Sequence, residues 1–192
     1  MPSPIGHGLA GLAIGLALEP AQPESARSTT RHLSKFAILG AVFAALPDAD
    51  LIHSAIHRGV SHSIGATALL MIIAAVVTGW VTGRVQWRWV LLVGAAHASH
   101  ILMDWLGTDP YPPPGLRALW PFSDRFYISG WNLFPPTERR VYLPGAFLIN
   151  ARAFFTEVGI LGPLAALVFF SRRTRRSRVL TSVPDSLQRP SA

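Results

Sequence analysis

Ser63-Ile-Gly-Ala-Thr-Ala-Leu-Leu-Met-Ile-Ile-Ala-Ala-Val-Val-Thr-Gly-Trp-Val-Thr-Gly83 runs for 21 residues without a charge. About 20 apolar residues are needed for a helix to cross a bilayer, so this stretch reads as a membrane span. Four other apolar runs flank it: Ile5 to Leu18, Phe36 to Ile52, Trp87 to Leu106 and about Ala153 to Phe170. The composition agrees. Half of the 192 residues are hydrophobic and 14% are charged, against about 25% in soluble domains. The expected fold is all-α: a polytopic transmembrane helix bundle of about four to five membrane segments. The first run, at 14 residues, is short for a span and reads as tilted, re-entrant or half-buried.

The connectors differ in character. Glu19 to Lys35 is a polar loop. Arg84 to Arg88 is a tight turn flanked by Trp80, Trp87 and Trp89, an interfacial aromatic belt. Gly107 to Arg152 is a long Pro- and aromatic-rich loop, expected to form an ordered lid or interfacial segment. Residues 1–170 read as one helical membrane domain, and 171–192 as an Arg-rich, disordered tail. No internal repeat is visible.

The net charge of +7 comes almost wholly from Arg placed between or after apolar runs. That pattern encodes membrane topology and argues against nucleic-acid binding. Placing the tail in the cytoplasm puts 11 of the 17 cationic residues on that side of five alternating spans. The start of the chain has no basic n-region, so Ile5 to Leu18 reads as mature protein. With no Cys, any metal must be held by His, carboxylate or backbone oxygen.

Alternating spans bring seven residues to one membrane face: His7, Asp48, Asp50, His57, His62, His100 and Asp104. Ionisable groups in membrane segments are costly and usually functional. A divalent cation would neutralise the carboxylates. In His97-Ala-Ser-His100-Ile-Leu-Met-Asp104 the spacings of three, four and seven place all three polar side chains on one helix face. His-x-x-x-Asp suits Zn, Mn or Fe, with His97 deeper and supporting. In Leu46-Pro47-Asp48-Ala49-Asp50, Pro47 bends or ends the helix, and Asp48 or Asp50 is placed to bridge two ions. In His57-Arg58-Gly59-Val60-Ser61-His62-Ser63, Ser61 is a candidate N-cap and Arg58 a candidate clamp for a substrate anion. Pro4-Ile5-Gly6-His7-Gly8 offers a His flanked by glycines.

Each motif has a structural alternative: an intra-helix His–Asp hydrogen bond, solvated acids at a helix end, or an interfacial loop touching headgroups. His53 and His32 read as bland. Asp124 and Arg125 read either as closing over the site or as a local ion pair.

The pattern resembles the membrane-bound metal-dependent hydrolase family, the YdjM-like inner-membrane proteins. The resemblance is carried by His7, Pro47-Asp48-Ala49-Asp50, His57 to Ser63, His100 to Asp104 and Trp120-Pro121-Phe122-Ser123-Asp124. It covers roughly residues 1–130 and implies a helical protein of the bacterial inner membrane classed as a metal-dependent hydrolase.

The residues and the resemblance together give a first expectation. His7, Asp48, Asp50, His57, His62, His100 and Asp104 would ligate one or two divalent ions, Zn foremost. Asp50 or His62 would serve as general base, and Arg58 would bind the anion of an ester or phosphoester. The site's headgroup depth points to the bilayer as partner and to a lipid or lipid-linked substrate. A second expectation is a non-catalytic membrane protein with a structural metal or a partner-anchoring tail. A third, an ion transporter, fits poorly because the polar groups gather at one end.

Overall fold

The computed structural model describes residues 1–20, 34–52 and 57–181, with the side chains of 51–52 and 173–181 left out. His32, His53 and residues 182–192 of the expected tail lie outside the described residues. Among the described residues five helices form in chain order: α1 (Pro4–Leu18), α2 (Lys35–Ala45), α3 (Ile64–Thr82), α4 (Trp87–Leu106) and α5 (Ala146–Thr181). Short 3-10 turns cover Leu46–Ile52 and Val60–His62. Among the described residues there is no strand.

Three helical segments among the described residues are long and apolar enough to cross a membrane: Ile64–Thr82, Trp87–Leu106 and Ala146–Arg172. The face α3 turns outward explains its composition. Leu69, Ile72, Val76 and Trp80 are 58%, 60%, 65% and 87% exposed. A soluble protein seldom tolerates such a stripe, whereas hydrocarbon solvates it. Ser63 caps the start of α3 by accepting from Ala66 N, and left-handed Gly83 closes it. The sequence reading put Ser61 in the capping role; Ser61 instead turns toward Asp50.

α1 and α2 rise only about 22 and 16 Å along their axes, less than the roughly 30 Å hydrocarbon core. They pack on each other, and both contact α4, while α1 also packs on α5. Glycine permits the closest part of that approach. A Cβ on Gly11 would stand 2.1 Å from Gly40 O, and one on Gly40 would stand 2.2 Å from Gly11 O. Without a hydrophobic drive between helices in lipid, such backbone proximity is what van der Waals association requires. The expected second span, Phe36 to Ile52, is thus a helix that stops at Ala45 and continues as a 3-10 turn around Pro47.

The long connector is an ordered cap. Ala118 O and Trp120 O accept from Ile64 N and Gly65 N at the start of α3, at 2.9 and 3.0 Å. Trp105 O and Leu106 O at the end of α4 accept from Ser129 N and Leu133 N at 2.9 and 2.8 Å. These bonds serve helix-end groups that lack intrahelical partners. Met103, Phe134 and Leu161 pack beneath the cap with Leu9 and Leu106. α5 starts at Ala146, earlier than the apolar run alone indicated, and stays helical past Ser171 to Thr181.

Candidate metal centre

Four pieces of chain deliver imidazoles and carboxylates to one end of the bundle. α1 brings His7. The 3-10 turn after α2 brings Asp48 and Asp50. The turn before α3 brings His57 and His62. The last turns of α4 bring His100 and Asp104. The side chains of His7, His62, His100 and Asp104 are no more than 1% exposed.

Asp104 sits among three rings. Its oxygens lie 3.2 Å from His100 Nε2, 3.4 Å from His7 Nε2 and 3.6 Å from His62 Nε2. His7 stacks on His100 with centroids 3.7 Å apart. Asp48 Oδ1 is 4.0 Å from His100 Nε2. None of these approaches completes a hydrogen bond. Both nitrogens of His7, Nε2 of His62 and of His100, both oxygens of Asp104 and Oδ2 of Asp48 are buried with no hydrogen-bond partner. Buried polar atoms are normally satisfied, so a concentration of orphans calls for a ligand.

The donor set and its spacing fit a divalent ion. Two atoms each about 2.1 Å from one tetrahedral ion stand about 3.4 Å apart, which is the spacing around Asp104. Donor atoms fall into three triplets, each within 4.8 Å: His7–Asp48–His100, Asp48–His57–His62 and His62–His100–Asp104. Asp48, His62 and His100 each belong to two of them.

Surrounding groups orient these donors. His100 Nδ1 donates to Ala44 O at 2.7 Å. Pro47 has no N–H with which to serve that carbonyl. The bond leaves the His100 Nε2 lone pair aimed at Asp104 and Asp48. Asp50 Oδ1 accepts from His57 Nδ1 at 2.6 Å. Its Oδ2 accepts from Ser61 Oγ and lies 3.3 Å from His62 Nδ1. Burial alone would raise the Asp50 pKa, but His57, His62 and Ser61 outweigh it and hold the carboxyl well below the usual range. Asp50 therefore behaves as the carboxylate behind two histidines.

Arg58 lies elsewhere than the expected clamp. Its guanidinium pairs with Asp109 and donates to Tyr111 O and Pro113 O at 3.2 and 3.1 Å, tying the His57–His62 turn to the cap. Left-handed backbone at Arg58, φ 64°, turns the side chain that way. His97 bonds Thr67 Oγ1 at 2.8 Å and joins α4 to α3 outside the triplets. Asp124 is exposed and 3.6 Å from Arg117, while Arg125 is exposed nearby.

The family model of the YdjM inner membrane protein matches residues 1–179. The chain belongs to the YdjM inner membrane protein family. No curated protein and no solved structure matches it. The match reaches well beyond residue 130, the end of the motif resemblance, and takes in most of α5.

This YdjM-family chain also uses residues that motif reading passed over. Glu157 on α5 is fully buried, accepts from Ser3 N at 2.6 Å and from Ser3 Oγ, and sits so close to Gly6 that a Cβ there would meet it at 2.6 Å. A carboxylate at the start of α1 suits the helix dipole and fixes the depth of His7. Arg139, in the cap, donates to His57 Nε2 at 2.6 Å. The Ser3-Pro4 pair was a readable helix start; Arg139 carried no local signal.

Proposed function

We propose that the cluster holds one or two divalent ions and hydrolyses an ester, most simply a phosphoester, at headgroup depth. The observation that carries this is the set of buried, unpartnered ring nitrogens and carboxylate oxygens contributed by four separate chain segments. His7, His62, His100, Asp104 and Asp48 are the ligands in this reading. When bound, such an ion supplies acidification of water to near-neutral pKa and neutralises developing charge.

The chain's own residues do the rest. Ala44 O fixes the His100 tautomer, and Asp50 fixes His57 and His62. With one ion in the inner set, His57 is left at the edge of the site. Its Nδ1 proton faces Asp50 and its Nε2 accepts from Arg139, so Nε2 takes a proton from the attacking water only when the Arg139 guanidinium gives up that bond. With a second ion at Asp48–His57–His62, His57 is a ligand, and the ratio of metal to protein distinguishes the two cases. Depth supports a membrane-borne substrate. From Trp87 to Asp104, α4 rises about 26 Å, close to the hydrocarbon thickness.

The near-complete burial of the four innermost ligands favours a second reading, a closed structural site. Hydrolysis of a chromogenic phosphoester by detergent-purified protein separates the two. Metal-dependent turnover that disappears in Asp48→Ala and His100→Ala supports the enzyme, and bound metal without turnover supports the structural site.

The Arg-rich end of α5 and the Arg84–Arg88 turn share the face opposite the cluster, and positive charge favours the cytoplasm. A reporter fused at Ala192 should therefore score as cytoplasmic. A periplasmic score would reverse the orientation and place the site on the cytoplasmic side.

A further inference from the structure

A cleft of about 390 Å3 opens beside the cluster, walled by Asp50, His57, Val60, Ser61, Arg117 and Phe126. Arg117 brings positive charge to it. Its Nε is buried with no hydrogen-bond partner. Its Nη1 lies 3.6 Å from Asp124, whose side chain is 80% exposed, a screened pair of little strength. The guanidinium sits 5.5 Å over the Phe126 ring, which steadies it. Arg139 supplies a second guanidinium next to the cleft's His57 through its bond to Nε2. The cleft thus has one arginine in its wall and a second bonded to a wall histidine, and Arg117 has a donor to spare.

The wall of this cleft has a second side. Leu116 and Tyr127 pair across an isolated antiparallel bridge. Arg117 and Phe126 line the cleft, while Leu119 and Tyr127 line a separate groove of about 400 Å3 with Ile64, Ile101, Leu102 and Trp105. The groove lies between the start of α3 and the end of α4, both long and apolar enough to cross a membrane. A cleft with an unpartnered arginine donor, whose one wall carboxylate is already engaged by His57 and Ser61, and an apolar groove lined by the nearby Leu119 and Tyr127 match the two halves of an anionic amphiphile.

We propose that the cleft receives the phosphoryl group of an acyl-chain-bearing phosphoester, that Arg117 is the residue binding that anion, and that the groove receives the chain. An Arg fork matches phosphate oxygens in pairs. The choice of phosphoryl group rests on the hydrolase reading; the test reads binding and leaves turnover aside.

Full-length protein in a neutral maltoside detergent would be titrated with dioctanoyl phosphatidate, dioctanoylglycerol and inorganic phosphate. Phosphatidate should bind at least about tenfold more tightly than either half alone, since each half forgoes one set of contacts. Arg117→Gln should weaken phosphatidate about tenfold or more, with Arg117→Lys intermediate and the unfolding midpoint unchanged. Leu102→Trp, which fills the groove, should weaken phosphatidate and leave inorganic phosphate as it was. Wild-type affinity in both Arg117 variants would overturn the anion assignment. Equal affinity for inorganic phosphate and phosphatidate would overturn the chain assignment. Absent hydrolysis with this binding pattern intact would remove the enzyme reading and leave the subsite standing.

Discussion

Asp104→Ala should lower metal affinity, and any metal-dependent turnover with it, by about 100-fold or more. Removing a group that only orients a ligand typically costs about 10–100-fold, and Asp104 is placed closer than that. Its two oxygens face three histidines at 3.2 to 3.6 Å from a position 1% exposed to solvent. Asp104→Asn keeps the volume and removes the charge. If the carboxylate holds an ion, Asn should lose nearly as much as Ala. If Asn titrates with metal like the wild type, the carboxylate serves packing alone. The chelated protein gives an independent readout. Without metal, both Asp104 oxygens are buried without a hydrogen-bond partner, a cost that Asn reduces, so Asp104→Asn should keep the unfolding midpoint of the chelated protein at or above wild type while losing the rise that metal gives the wild type.

Gly40→Val should prevent the bundle from closing. The added Cβ would meet Gly11 O at 2.2 Å, and Gly11 C and Gly15 Cα at 3.1 and 3.2 Å, all of them backbone atoms. No rotamer change relieves that, so α1 and α2 must separate. Overpacking by side chains costs about 1–3 kcal/mol, and a clash between backbones stands at or above the upper end. The consequence extends to the site. His7 rides on α1, and Asp48 follows the end of α2, so parting these helices removes two donors at once. Gly8→Ala is the control. A Cβ there meets nothing within 4 Å, and replacing Gly by Ala in a helix gains roughly 0.5–1 kcal/mol. The expected pattern is a lower unfolding midpoint and lost metal in Gly40→Val, with both unchanged or improved in Gly8→Ala. Equal behaviour of the two variants would contradict the close α1–α2 crossing.

Much of the architecture is legible in the sequence because lipid imposes a simple rule. Long uncharged runs such as Ser63–Gly83 have one stable form in a bilayer. The gathering of His7, Asp48, Asp50, His57, His62, His100 and Asp104 followed from alternating spans with no side-chain geometry. Their roles did not follow. The sequence cannot say that Asp50 spends its oxygens on His57, Ser61 and His62 while Asp104 keeps both of its own unbonded. Arg58 shows the limit most plainly. Adjacent to His57, it suggested a substrate clamp, but a left-handed backbone sends it to Asp109. Arg117 and Arg139 sit in an aperiodic connector, where spacing says nothing about what a side chain will meet. Glu157 was visible as a charge in an apolar run, but its partner Ser3 lies 154 residues away. The start of α5 at Ala146 was obscured because Asn150 and Arg152 interrupt the apolar pattern, although Asn150 serves the cap through Glu138.

Elemental analysis of the purified protein asks whether these four segments converge on a shared ion. Protein purified in neutral detergent without chelator, then desalted, should carry one or two equivalents of a divalent transition metal per chain. His100→Ala purified in parallel should carry almost none. A folded wild-type protein that carries no metal, and takes up none when zinc, manganese or iron(II) is supplied, would contradict the account.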